Sequence, residues 1–114
     1  MKIDRGDIVR VSLNPTIGAE LQGEARPVLV ISPETFNRQG LMLVCPITQG
    51  VATVAREGGF LVSLMGYGLR VNGCVVANQI RTLDWRKRGI AKIETAPAQL
   101  VQEVQNIITA IVND

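Results

Sequence analysis

The apolar residues of this chain fall into short runs, and they adopt helical spacing only near the C-terminus. Residues 7–13 (DIVRVSL) alternate between apolar and polar side chains, which predicts a half-buried strand. The uninterrupted apolar residues at 28–31 and the largely apolar run at 41–48 indicate strands buried on both faces. A chain patterned in this way favours a small sheet.

Weaker patterns complete a series of strands that ends in one helix. Three more strands and one helical turn are predicted at residues 60–65, 74–83, 89–94 and 34–40. Pro27 is placed at the start of its strand, because proline donates no N–H to a sheet. The helical stripe comprises Leu100, Val104, Ile107, Ile108 and Ile111, with Pro97 in the first turn. We predict a small antiparallel barrel of the mainly β, α+β class, with an amphipathic C-terminal helix packed against it.

The composition fits one compact aliphatic domain. A length of 114 residues is enough for a single core. Hydrophobic residues make up 46% of the chain and aromatic residues only 4%, so the core must consist of Val, Ile, Leu and Ala. No apolar run approaches the roughly 20 residues of a membrane span, and the opening MKIDRGD does not resemble a signal peptide. We therefore expect a cytoplasmic protein.

The inventory of reactive side chains is narrow. The chain has no histidine, which removes the commonest general base and zinc ligand. Its two cysteines, Cys45 and Cys74, lie in strand-like runs without the spacing of a metal or redox motif, so we interpret them as buried, reduced thiols.

Positive charge is concentrated in one segment, although the formal net charge is only +2. Five of the twelve basic residues lie between positions 81 and 92, where Asp84 is the only acid. A basic segment on a folded core is an electrostatic footprint for phosphate groups. A solvated turn is the alternative interpretation of the same charges.

An arginine stands at the mouth of a buried strand, in the stretch GEARPVLVIS at residues 23–32. Pro27 disfavours helical backbone at Arg26, so this arginine is held extended and its side chain has few directions available. Arg26 also ends a segment of about a dozen residues, longer than a usual hairpin loop, and long ordered loops tend to be functional. The strand 41–48 ends in Thr48, followed by Gln49. If the two strands lie side by side, Arg26 and Thr48 meet.

Four motifs, in order along the chain, resemble those of the MazF/PemK/Kid family of toxin endoribonucleases. They are RGDIV at 5–9, GAELQGEARPVLVIS at 18–32, VCPITQG at 44–50 and NQIRTLDWRKRG at 78–89. Residues 36–38 (FNR) and 55–60 (AREGGF) are similar to the ChpB and PemK/Kid types within the family.

The resemblance implies an SH3-like barrel formed by one domain over residues 1–114, a homodimer, and no cofactor. It implies metal-independent cleavage of single-stranded RNA, in which the ribose 2′-OH attacks the adjacent phosphate and leaves 2′,3′-cyclic phosphate and 5′-OH ends. Arg26 and Thr48 match the family's catalytic pair, and Glu20 matches an acidic residue that the family also uses. The implied partner is a cognate antitoxin with a disordered acidic C-terminal tail.

Base selection must come mainly from hydrogen bonds, because the chain has too few aromatic residues for a stacking platform. The residues expected to bind RNA are Gln22, Gln49, Arg56, Asn78, Gln79, Arg81 and Arg86. The chain departs from the Kid type at Val76 and Asn78, where that type has an arginine and an aspartate with acid–base roles. Neither replacement can transfer a proton, so the chemistry is expected to depend on Arg26 and Thr48.

Two other functions fit the same fold. A CcdB-like toxin would bind and poison DNA gyrase without catalysis, and fold alone does not decide function. The Arg26-Pro27 and Thr48 pattern fits the nuclease instead. A degenerate family member that binds RNA or antitoxin without cutting is the third possibility, and Val76 and Asn78 keep it open.

Overall fold

A computed structural model of the chain describes residues 1–13, 25–49 and 59–114. Within these ranges the strands are β1 (Asp7–Val11), β2 (Arg26–Val30), β3 (Leu41–Thr48), β4 (Leu61–Ser63), β5 (Cys74–Val76), β6 (Arg81–Asp84) and β7 (Ala91–Thr95). The helices are α1 (Glu34–Asn37), α2 (Trp85–Arg88) and α3 (Ala98–Asn113), with a 3₁₀ turn at Ala77–Gln79. No helix in the described part of the chain is long and apolar enough to cross a membrane.

The strands pair antiparallel in the order β4-β5-β3-β2-β1-β7, and β6 pairs with the first half of β3. Apolar side chains pack on both faces. One cluster joins Ile8, Leu29, Cys45 and Ile47 to Leu100 and Val104 of α3. The other contains Val9, Val11, Leu13, Val28, Val30, Met42 and Val44. The predicted class is confirmed: a mainly β antiparallel sheet with a C-terminal helix packed on it.

The predicted strand 74–83 is wrong in one respect, because the 3₁₀ turn divides it into β5 and β6. Ile47 pairs with Val75 and Val44 pairs with Arg81, so three steps along β3 face six steps along its partner. The three extra residues leave the sheet as the turn Ala77–Gln79. Insertions of this kind, like β-bulges, redirect side chains and occur next to active sites. Asn78 and Gln79 therefore lie on a turn instead of in a ladder.

The remaining predictions differ from the structure mainly at element ends. The strand predicted at 60–65 is β4, only three residues long, and the one predicted at 89–94 is β7, which ends at Thr95. Strand β2 begins at Arg26, so Pro27 is its second residue. Leu100 and Val104 are buried as the stripe predicts, whereas Ile111 is half exposed at the end of the helix. The predicted loops at 14–25 and 49–59 lie almost entirely outside the described residues.

Asn37, a buried residue of α1, ties several segments together. Its side-chain amide donates to the carbonyl oxygens of Ile3 and Ser32, both at 2.9 Å. Its backbone carbonyl accepts the indole N–H of Trp85 at 2.7 Å. The N-terminal segment, α1 and the start of α2 are thereby fixed around the first residues of β3.

Both cysteines are free thiols, as the sequence predicts. Cys45 is fully buried, and this burial raises the pKa of its thiol to about 12. Cys74 is only partly buried, so the prediction that both thiols are buried is wrong for this residue. Burial in apolar surroundings is typical of an unreactive structural cysteine.

Candidate active site

The start of β2 and the end of β3 lie side by side. Val28 pairs with Pro46, and Val30 with Val44. Extending this antiparallel register by two residues sets Arg26 opposite Thr48. Residues that face each other in a sheet point to the same side, so the two polar side chains share the face of the Val28 cluster, just beyond its edge.

The pair lines a cavity of about 290 Å³ at this end of the sheet. The lining residues are Ala25, Arg26, Pro27, Ile47, Thr48 and Gln49. Arg26 is partly buried, and its Nη2 donates to the carbonyl oxygen of Ile47 at 3.2 Å. Thr48 is 7% exposed. A guanidinium and a hydroxyl that converge on a cavity form a site for an oxyanion such as a phosphate.

The backbone that leads into Arg26 is held in an uncommon conformation. Ala25 has φ +54°, the only positive φ of a non-glycine residue in the described ranges. Its carbonyl oxygen accepts a hydrogen bond from Nη1 of Arg10 at 3.1 Å. Such outliers concentrate at functional sites. The turn at Ala25 and the rigid ring of Pro27 together fix the direction from which Arg26 enters the cavity.

Sequence reasoning missed a glycine behind this pair. The dipeptide Asn72-Gly73 indicates a tight turn, and Gly73 does have φ +119°. The structure adds a close approach: a Cβ at Gly73 would lie 2.3 Å from the carbonyl oxygen of Thr48. No local signal in the sequence could reveal this contact, because Gly73 meets Thr48 only through the pairing of β5 with β3.

Three of the residues expected to bind RNA lie close to β3. Gln49 is exposed at the rim of the cavity. Asn78 is exposed and Gln79 is partly buried. Both lie on the 3₁₀ turn between β5 and β6, beside the middle of β3. Exposed polar side chains suit contacts with bases. The RNA-binding role of these three residues stays a prediction.

The structure separates the two predicted RNA-binding arginines of the basic segment. Arg81 pairs with Val44 in the middle of β3, and its Nη1 donates to the Leu13 carbonyl at 3.2 Å. Arg86 comes two residues after the end of β6 and lies near the start of β3, because Asp84 pairs with Leu41. It donates to the Arg38 carbonyl at 2.6 Å and lies over the Trp85 ring.

Arg86 therefore lies away from the Arg26–Thr48 cavity within one chain, and its RNA-binding role stays a prediction. The length of β3, roughly 23 Å at 3.3 Å per residue, separates its two ends. Glu20, Gln22 and Arg56 lie outside the described residues, so their roles stay predictions.

The chain matches one family of proteins over almost its whole length. A family model described as the PemK-like, MazF-like toxin of type II toxin–antitoxin systems matches residues 4–112. The chain belongs to this family, which confirms the resemblance found in its motifs.

Curated relatives support the assignment over nearly the whole chain. The chain is 44% identical to the endoribonuclease PemK of Escherichia coli, over 96% of this chain and 81% of that protein. It is 41% identical to the endoribonuclease toxin ChpB of Escherichia coli strain K12, over 97% of this chain and 95% of that protein. The predicted class of toxin endoribonuclease is that of these relatives.

Solved structures show the same fold. The crystal structure of MazF from Deinococcus radiodurans superposes with a TM-score of 0.87 at 34% identity, covering 100% of this chain and 99% of that one. A crystal structure of MazE–MazF from the same organism gives a TM-score of 0.82 at 34% identity, covering 99% and 97%.

Proposed function

We propose that this protein is the toxin of a type II toxin–antitoxin pair and that it cleaves single-stranded RNA in the Arg26–Thr48 cavity. The observation that carries the proposal is the pairing of β2 with β3, which brings together two side chains 22 positions apart in a cavity with room for a phosphate group. The endoribonuclease relatives favour this function over the gyrase-binding one.

The proposed reaction is an intramolecular displacement at phosphorus. The 2′ oxygen forms a bond to phosphorus, the bond from phosphorus to the 5′ oxygen breaks, and 2′,3′-cyclic phosphate and 5′-OH ends result. A base removes the 2′ proton, and an acid delivers one to the leaving 5′ oxygen. Because the nucleophile is already attached to its target, orientation supplies much of the rate enhancement and no metal-bound water is needed.

Arg26 and Thr48 stabilise the charge that develops on the phosphoryl oxygens. A guanidinium stays protonated in proteins and binds two oxygens in a planar fork. The hydroxyl of Thr48 donates a further hydrogen bond to the same group, or keeps the guanidinium oriented. Fixed donors aimed at developing charge are usually the largest electrostatic contribution to catalysis.

Glu20 is the proposed general base, because a carboxylate accepts a proton far more readily than a guanidinium can. We expect Glu20→Gln to lower the cleavage rate and to remove the acidic limb of its pH profile. Wild-type rates across the whole pH range in Glu20→Gln would exclude this role.

The proposed setting is a cytoplasmic homodimer inhibited by an antitoxin with a disordered acidic tail. Such a tail becomes ordered only when it binds, and the conformational entropy lost at that step lowers its affinity. It would compete with RNA for the basic groups Arg56, Arg81, Arg86 and Arg88. Reversing the charges of the tail should abolish inhibition, and a reversed tail that inhibits equally well would contradict this electrostatic account.

The test is cleavage of a long single-stranded RNA by purified protein in excess EDTA, with the ends of the products mapped. Arg26→Ala is compared with wild type and with Arg70→Ala, a matched control at an exposed arginine that does not line the cavity. We expect cuts at a few short sequences with 5′-OH ends, abolished only in Arg26→Ala. Absence of cleavage by the wild type would favour gyrase binding or a degenerate binder.

A further inference from the structure

The end of β3 that carries Thr48 rests against a glycine with no room for a side chain. A Cβ on Gly73 would lie 2.3 Å from the carbonyl oxygen of Thr48, 2.9 Å from its carbonyl carbon and 3.2 Å from Cα of Gln49. All three are backbone atoms, so a side chain at Gly73 could be accommodated only if the end of β3 moved.

The loop that carries Gly73 is held by a carboxylate on β7, the last strand in the order β4-β5-β3-β2-β1-β7. Glu94 of β7 accepts the backbone N–H of Arg70 on Oε1 and that of Val71 on Oε2, each at 2.9 Å. The carbonyl oxygen of Gly73 accepts the N–H of Leu64 at 3.0 Å. Glu94 therefore fixes the loop two residues before Gly73, and Leu64 fixes Gly73 itself.

We propose that Gly73 and Glu94 are positioning residues for catalysis: they set the backbone position of Thr48 and Gln49 at the edge of the cavity. This inference rests on the proposed function, since it concerns the same Thr48. Neither residue lines the cavity, so neither is expected to contact RNA there. Their contribution is to the geometry of a hydroxyl, and misplacement by about 1 Å can reduce a rate by about 100-fold.

The direct test compares Gly73→Ala with Gly66→Ala. Both glycines have positive φ, +119° and +87°, but a Cβ at Gly66 meets no atom within 4 Å. We expect Gly73→Ala to lower kcat about 100-fold with little change in KM for RNA. Gly66→Ala should keep kcat within about threefold, because alanine there brings backbone strain alone.

Combination with Thr48→Val separates positioning from general destabilisation. If Gly73 acts through the Thr48 hydroxyl, Gly73→Ala should lower kcat in the wild-type background and have little further effect in Thr48→Val. Equal effects of Gly73→Ala in both backgrounds, or equal activities of Gly73→Ala and Gly66→Ala, would overturn the inference.

Glu94→Gln provides a test that leaves Gly73 intact, in case Gly73→Ala fails to fold. The amide oxygen can accept only on one side, so one of the two loop contacts is lost. We expect kcat to fall about tenfold with KM unchanged, which corresponds to a rise of about 1.4 kcal/mol in the activation free energy. The control is Glu103→Gln, which removes the same charge but can still accept the Tyr67 hydroxyl bond.

A wild-type kcat in Glu94→Gln would overturn the role of Glu94. If Arg26→Ala and Thr48→Val both cleave like wild type, the cavity is not the active site. The cavity would then support neither the proposed function nor this inference.

Discussion

At the scale of single residues, the candidate site is built from polar side chains at the ends of apolar strands. Thr48 is a hydroxyl at the end of an otherwise aliphatic strand, and Arg26 is a charged residue on the face of an apolar cluster. An aliphatic side chain at either position would extend the core instead. Their presence is a departure from the pattern that builds the sheet, and such departures mark functional sites.

Thr48→Val tests the hydroxyl at nearly constant volume. We expect kcat/KM for RNA to fall about 100-fold, equivalent to roughly 3 kcal/mol of transition-state stabilisation. Thr48→Ser, which keeps the hydroxyl, should retain most of the activity. Initial cleavage rates on a defined oligonucleotide measure both variants, and equal rates for valine and serine would contradict a role for the hydroxyl.

At the scale of elements, contacts distant in sequence hold the first helix and the start of β3. Asp4 accepts the N–H groups of Arg5 and Glu34 on one carboxylate oxygen, at 2.8 and 2.9 Å. It thereby caps α1 from outside the helix, whose own N-cap residue, Pro33, makes no side-chain bond. Asn37 adds its bonds to Ile3 and Ser32.

The cap makes stability depend on acid pH. The two backbone hydrogen bonds, first that from Glu34, lower the pKa of Asp4 below its usual value of 3.8. A carboxyl group with a depressed pKa in the folded state stabilises the fold above its unfolded pKa, and the effect disappears as pH falls through the folded value. Asp4→Asn should lower Tm at pH 7 and match wild type well below pH 3.8. Thermal unfolding across this range measures the difference, and a constant difference would contradict the assignment.

Loss of the Asn37 side chain should destabilise the fold without touching the cavity. In Asn37→Ala the buried carbonyl oxygens of Ile3 and Ser32 lose their donor. An unsatisfied buried polar group costs about 1–3 kcal/mol, and we expect a loss of that order in the free energy of unfolding. Urea denaturation measures it. Well below the midpoint, kcat should stay that of the wild type, and a selective loss of kcat would refute this separation.

At the scale of the whole molecule, the sequence predicted the class and the terminal helix, because each depends on local periodicity. The meeting of Arg26 with Thr48 was predicted only on the condition that the two strands lie side by side. The sequence left the register of β2 on β3 undetermined. The start of β2 and the end of β3, which carry Arg26 and Thr48, nevertheless lie at the same edge of an antiparallel pair. The 3₁₀ turn, the contact of Gly73 and the far position of Arg86 could not be predicted. Each depends on which part of β3 a later strand pairs with, and pairing between distant strands leaves no local pattern.

The buried thiol of Cys45 should report the opening of the whole sheet. It lies fully buried in the central strand, with its pKa raised to about 12 by burial. Its modification therefore requires unfolding of the core, whereas the partly buried Cys74 should react through local motion. Labelling with a thiol reagent at increasing urea, followed by peptide mapping, should show Cys45 reacting at the rate of global unfolding. Rapid labelling of Cys45 in the native protein would contradict this.

Under the proposed function, catalysis also depends on the register in which β2 pairs with β3. A slip of one residue would turn Arg26 to the opposite face of the sheet while Thr48 kept its side. The misregistered chain could retain much of its secondary structure and still hold no phosphate. Under the proposed function, a newly made chain is therefore inactive as a nuclease until β2 and β3 have paired in their native register.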